Sequence, residues 1–291
     1  MEAKLDRTGQ DVGNILKLEH VNVTIPDQSL ATLYYVAGLG LTRDPYIMVS
    51  TNNMWINVGR SQFHLPTAAK PQNVRGCTGI IVPDRKQLLD RLAAVKKHLD
   101  GSKFECREGN DFVETQSPFG DRIRCHFPDP ARFGRQKLGM PYVEFDVPQG
   151  AAPGIARFYQ EIMGAPSRVH TNGGGPVAHV QSGADQELLF RETDKPIPDY
   201  DGHHMQIYIQ DFTGPYKKLG ALDLITMENG EHEYRFTDII DLDSRKVLFK
   251  VEHETRSSRH PLMGRTLVNR NPAQTNTAYM PGHDAAEWFL V

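Results

Sequence analysis

Cysteine is scarce: Cys77, Cys106 and Cys125 are the only three in 291 residues. An odd, sparse set of this kind excludes a disulfide framework and fits reduced thiols in a cell interior. No apolar run approaches the length of a membrane span, and the opening residues MEAKLDRTGQDVGN contain no apolar core of a secretory signal. A cytoplasmic location is the resulting expectation. Basic excess is also lacking: the formal charge is -3 with 24% charged residues, so no nucleic-acid face is expected. There is no nucleophile elbow, no paired zinc-type cysteines and no dinucleotide fingerprint. TNGGGP, Thr171 to Pro176, reads as a hairpin loop rather than a phosphate cradle, because no helix pattern follows it.

What the sequence does contain is repetition. LEHVNVTIPD, Leu18 to Asp27, alternates apolar and polar residues and then gives way to a helical period through Leu30, Leu33 and Tyr34, closed by Gly38 and Gly40. The same order recurs in CTGIIVPD from Cys77, in YVEFDVP from Tyr142 and in HMQIYIQD from His204. Shorter alternating runs follow each helix, punctuated by turn residues such as Asn52-Asn53, Gly109-Asn110 and Gly120-Asp121. The repeating element is therefore strand, helix and three strands, at 20–66, 77–128, 142–192 and 204–252.

These four openings, with the closing string SPFGDRIRCHFPDP, resemble the vicinal oxygen chelate superfamily, which includes glyoxalase I, bleomycin-binding proteins and extradiol dioxygenases. The resemblance implies an α+β fold of four βαβββ repeats paired into two half-barrel modules. It places an N-terminal module at 17–130 and a C-terminal module at 140–255, after a polar tail at 1–16 and before an irregular tail at 256–291. In that tail, Trp288, Phe289 and Leu290 are expected to pack on the protein. The fold hosts isomerases, lyases, dioxygenases and proteins that only sequester a ligand, so it does not by itself name a function.

Strand alternation assigns faces. In the first repeat Val21, Val23, Ile25, Phe63 and Leu65 belong to the helix side, which turns His20, Asn22, Gln62 and His64 to the concave side. In the second, Ile123, Cys125 and Phe127 are the apolar set and Arg122, Arg124 and His126 face away from it. Family members that hold a metal take ligands from the start of a repeat's first strand and from its last strand. Carried over, those slots hold His20, His64, Cys77 and Arg124 in the first two repeats, and Tyr142, Leu189, His204 and Leu248 in the last two. Two imidazoles in two slots suit iron, manganese, nickel, copper or zinc. A guanidinium cannot ligate a cation, so His126, two residues beyond Arg124, is the expected third ligand. An extradiol dioxygenase keeps two histidines and a glutamate in the second half, where only His204 stands, which argues against that constellation.

Two functions from different classes follow. In the first, a metal-dependent lyase, isomerase or dioxygenase chelates two adjacent oxygens of a small organic substrate through His20, His64 and His126, while Arg124 grips a substrate carboxylate and Gln62 orients it. In the second, a metal-free binding protein holds an anionic or aromatic ligand through Arg122 and Arg124, with Trp55 available for stacking. The expected partner in either case is a small molecule, neither nucleic acid nor membrane, and a homodimer is compatible with both.

Overall fold

The computed structural model describes residues 10–47 and 50–270. Trp288, Phe289 and Leu290 lie outside the described residues. Each repeat folds in the expected order. The first contains β1 (Ile15–Asn22), helix α1 (Gln28–Ala31) running into a π-helical turn (Thr32–Gly38), β2 (Thr42–Arg43), β3 (Asn53–Val58) and β4 (Ser61–Pro66). The second contains β5 (Gly76–Ile81), α2 (Arg85–Lys96), β6 (Glu105–Glu108), β7 (Val113–Gln116) and β8 (Arg122–His126), and a short helix α3 (Pro130–Phe133) follows it. The third contains β9 (Gly139–Pro148), α4 (Ala152–Phe158), β10 (Ser167–Asn172), β11 (Gly175–Gln181) and β12 (Glu187–Thr193); the fourth, β13 (His204–Ile209), α5 (Thr213–Ala221), β14 (Ile225–Asn229), β15 (Glu233–Ile240) and β16 (Val247–Ser257).

The Pro-Asp pairs that end the first strands of repeats one and two set the helix starts. Asp27 accepts from the backbone amides of Ser29 and Leu30, and Asp84 from that of Gln87, satisfying donors that a helix N-terminus leaves open. Leu88, Leu92 and Val95 of α2 are buried on one face. Gly38 lets the first helix approach that face, since a Cβ there would lie 3.2 Å from Val95 Cγ2.

The chain forms an α+β protein of two compact units. One comprises, of the described residues, Glu19–Phe145, Pro198–Met205 and 264–270. Its strands run in the order β1-β4-β3-β2, with the head of β13 beside β1, and in a second order β9-β5-β8-β7-β6. The other comprises the chain up to Leu18, Asp146–Ile197 and Gln206–Met263, with orders β13-β16-β15-β14 and β9-β12-β11-β10. His204, at the head of the fourth repeat, thus belongs to the unit built mainly from repeats one and two.

In repeats one and two the first and last strands pair in parallel, because the helix and two strands between them form the crossover that parallel pairing requires. In β1 and β4 the Cα partners are His20 with Gln62 and Asn22 with His64. In β5 and β8 they are Gly79 with Arg124 and Ile81 with His126. These registers decide which side chains can meet.

Candidate metal centre

His20, His64 and His204 converge so that one ring nitrogen from each lies within 4.8 Å of the others. The rings of His64 and His204 stand edge-on to His20, with centroids 5.7 and 5.8 Å away. Two of the three are the histidines expected from the first repeat. The third arrives from the head of β13.

Each ring is held in a defined way. His20 is fully buried, and its Nδ1 hydrogen-bonds a carboxylate oxygen of Glu19 at 2.7 Å. That contact fixes the tautomer with its proton on Nδ1 and leaves Nε2 as the nitrogen suited to ligation, the usual carboxylate–histidine arrangement around a metal. His64 stacks on Trp55 at 3.7 Å with ring planes 12° apart. Its Nδ1 accepts from Asn22 Nδ2 at 2.5 Å and its Nε2 donates to Asn53 Oδ1 at 2.7 Å. Ligation by His64 therefore exchanges one of these two hydrogen bonds for a metal bond.

The donor set fits a divalent transition metal. Three neutral imidazoles with a buried carboxylate behind one of them match the ligand preferences of zinc, iron, nickel and copper, and leave open positions for a ligand. Imidazoles alone do not neutralise the cation, so an anionic ligand is favoured electrostatically.

Gln62 is the Cα partner of His20 and shares its face, yet its amide is fully committed. Nε2 donates to Asn57 Oδ1 at 2.6 Å and to Asp44 Oδ2 at 3.1 Å, while Oε1 accepts from Arg265 Nη2 at 3.0 Å. It braces the floor of the site instead of presenting a free amide.

The remaining expected residues sit on the strands of the other order in the same unit. His126 is buried and its Nε2 hydrogen-bonds the hydroxyl of Tyr142 at 2.8 Å. Burial, reinforced by Arg132 and Arg124, pushes it down to about 4. It does not join the trihistidine cluster, because in β8 it lies beyond the rung that corresponds to His64. That rung holds Arg124, whose guanidinium bonds Glu114 Oε2 at 3.2 Å and Glu144 Oε1 at 3.1 Å. Arg122 donates through Nε to the carbonyl of Gly76 at 2.9 Å. Cys77, in the slot corresponding to His20, is buried against Glu144, and burial pushes its thiol up to about 12. The Tyr142 ring covers Gly79 so closely that a Cβ there would lie 2.3 Å from its Cε1. Around Arg124 this face is filled by its own side chains, with two carboxylates on one arginine, while a cavity of about 170 Å³ lined by Glu105, Arg107, Glu114, Gln116 and Arg122 opens beside it.

Sequence reasoning placed His204 in a slot of the second half, and the structure sets it beside His20 and His64. Its signal was present: a histidine heading the first strand of a repeat, as His20 does. What no repeat pattern states is which first strands lie side by side.

No protein-family model matches the sequence, and no curated protein matches it at significance. Solved structures do. Glyoxalase I from Zea mays superposes with a TM-score of 0.58 at 13% identity, covering 83% of this chain and 92% of that one. A candidate dioxygenase from Bacillus subtilis subsp. subtilis str. 168 gives 0.56 at 12% identity, with 87% and 91% covered. The chain shares the α+β fold of these glyoxalase and dioxygenase structures. Among the described residues, no helix is long and apolar enough to cross a membrane.

Proposed function

We propose that the protein is a metal-dependent enzyme that acts on a small organic substrate bearing two adjacent oxygens, with His20, His64 and His204 as the metal ligands. The observation that carries this reading is the convergence of three ring nitrogens from three separate strands within 4.8 Å. A lone strand histidine is usually structural; three meeting at one point on the concave side of this fold make a chelating site.

A bound divalent metal supplies Lewis acidity to the substrate oxygens, or oxygen activation if it is iron. The chain's own residues do the rest. Glu19 keeps the proton on His20 Nδ1 and so keeps Nε2 basic. Asn22 and Asn53 hold the plane and direction of the His64 ring. Trp55, 8% exposed, walls the site with an apolar surface that limits water beside the imidazoles.

Elemental analysis of the untagged full-length protein, beside His20→Ala, His64→Ala and His204→Ala, tests the reading. Near-stoichiometric iron, manganese, nickel, copper or zinc is expected in the parent and is expected to vanish in each variant. A parent protein that retains no metal after reconstitution with these ions overturns it.

A further inference from the structure

The segment from Gly264 to Arg270 is strapped across the strands that carry His64. Asn57 Nδ2 donates to the carbonyl of Val268 at 2.8 Å, and Asn269 pairs with both backbone groups of Gly59 at 3.0 and 2.8 Å. Leu267 is buried beneath it. These contacts deliver one cation to the site: Arg265 reaches Asp44 Oδ2 through Nη1 at 2.6 Å and Gln62 Oε1 through Nη2 at 3.0 Å. Since Gln62 is the Cα partner of His20 in the parallel β1–β4 pair, the guanidinium stands against the residue beside the first metal ligand.

From this position we infer that Arg265 binds a substrate carboxylate, which makes the substrate a small 2-hydroxy or 2-oxo acid rather than a neutral diol; the inference rests on the metal reading above. An arginine has five N–H donors in a planar fork. Nη1 and Nη2 are each engaged once, while Nε is buried and has no hydrogen-bond partner among the described residues. The side-on edge formed by Nε and the second hydrogen of Nη2 is thus available, and that edge matches the two oxygens of a carboxylate. A buried guanidinium donor left open costs free energy unless a ligand completes it.

Charge bookkeeping separates Arg265 from Arg124. Arg124 already has two carboxylates on it, Glu114 and Glu144, so its guanidinium is compensated before any ligand arrives. Among the described residues Arg265 has only Asp44, which is fully buried. That pair is neutral, and a divalent cation on the neighbouring imidazoles makes the region net positive. An anion is attracted to the second place and not to the first.

Glycolate and hydroxyacetone offer the same pair of adjacent oxygens and differ by one carboxylate oxygen replaced with a methyl group. Both are titrated calorimetrically into metal-loaded full-length protein and into Arg265→Gln. The variant is expected to keep its metal, to bind glycolate at least about tenfold more weakly, as the loss of a charge-assisted fork implies, and to bind hydroxyacetone within about twofold of the parent. Equal losses for both probes, or no loss for glycolate, overturn the inference. If Arg265→Gln does not fold, Arg265→Lys keeps a cation on Asp44 without the fork; glycolate affinity unchanged from the parent in that variant also overturns it. A parent that takes up no metal sinks the metal reading alone, and the glycolate titration of apoprotein and variant then decides the arginine.

Discussion

Asn22 and His64 are Cα partners across the parallel β1–β4 pair and are also joined side chain to side chain, Nδ2 to Nδ1, at 2.5 Å. The backbone register and the ligand geometry are therefore one constraint. A slip of that pair by one residue would turn His64 to the helix side.

His204 and His126 make opposite predictions. His204→Ala is expected to abolish metal retention, whereas His126→Ala is expected to leave metal content unchanged while destabilising the protein, because it empties a buried ring position and removes one of the Tyr142 hydroxyl's hydrogen bonds. Elemental analysis of both variants, with urea denaturation for stability, checks the pair.

Glu19 bonds His20 Nδ1 at 2.7 Å, and on the proposed metal reading it acts on the ion through that ring. Glu19→Gln keeps the shape and removes the carboxylate, so metal affinity is expected to fall by about 10–100-fold, the usual cost of losing such a partner. Competition with a chromophoric chelator measures it.

Sequence repeats made the fold legible and half of the site with it. The alternation in LEHVNVTIPD and SQFHLP put His20 and His64 on one face, and that is where they lie. His126, the expected third ligand, stands apart from the histidine cluster for a physical reason. HLP and HFP look alike as words, but a parallel ladder counts rungs: Asn22 faces His64 and Gly79 faces Arg124, so His126 falls two residues past the equivalent position. The juxtaposition of β13 with β1 is a tertiary choice, made by which edges complete each other, and no local pattern encodes it. Arg265 lies in a tail without periodicity, which gave no face to assign.

Removing Arg124 tests the filled face. Arg124→Met removes the guanidinium that bonds Glu144, itself 4% exposed, at 3.1 Å. Breaking a buried ion pair on one side is expected to cost about 3–5 kcal/mol. Thermal unfolding should show that loss while the metal content of the folded protein stays at the parent value.

Stability should respond to pH through groups with opposite signs. His253 is fully buried, with Nδ1 donating to the carbonyl of Val251 at 2.8 Å and Nε2 accepting from Tyr159 at 2.6 Å. Burial pushes it down to about 3. The unfolded chain binds a proton near pH 6.5 that the folded chain refuses until about pH 3, so this group makes stability fall as pH drops through that window. Asp121 behaves inversely. It is buried, accepts from the Val74 amide at 3.0 Å, and burial raises it to about 7. Its folded form keeps a proton that the unfolded form loses near pH 4, so its contribution falls as pH rises from about 4 to about 7. Between pH 4 and 6.5, Asp121→Asn should steepen the gain of stability with pH, and His253→Gln should flatten it, each by about 1.4 kcal/mol per pH unit at most. Urea unfolding at stepped pH reads the slopes.

The trihistidine cluster also carries information about synthesis. Its members stand at positions 20, 64 and 204. His20 and His64 come together when the first repeat folds, early during N-terminal-first synthesis, whereas the third donor needs a closure over more than half of the chain. On the proposed metal reading, a nascent chain offers a two-imidazole site that would hold metal weakly, with full retention expected only once the first residue of the fourth repeat has docked. Metal occupancy would then report that this docking has taken place.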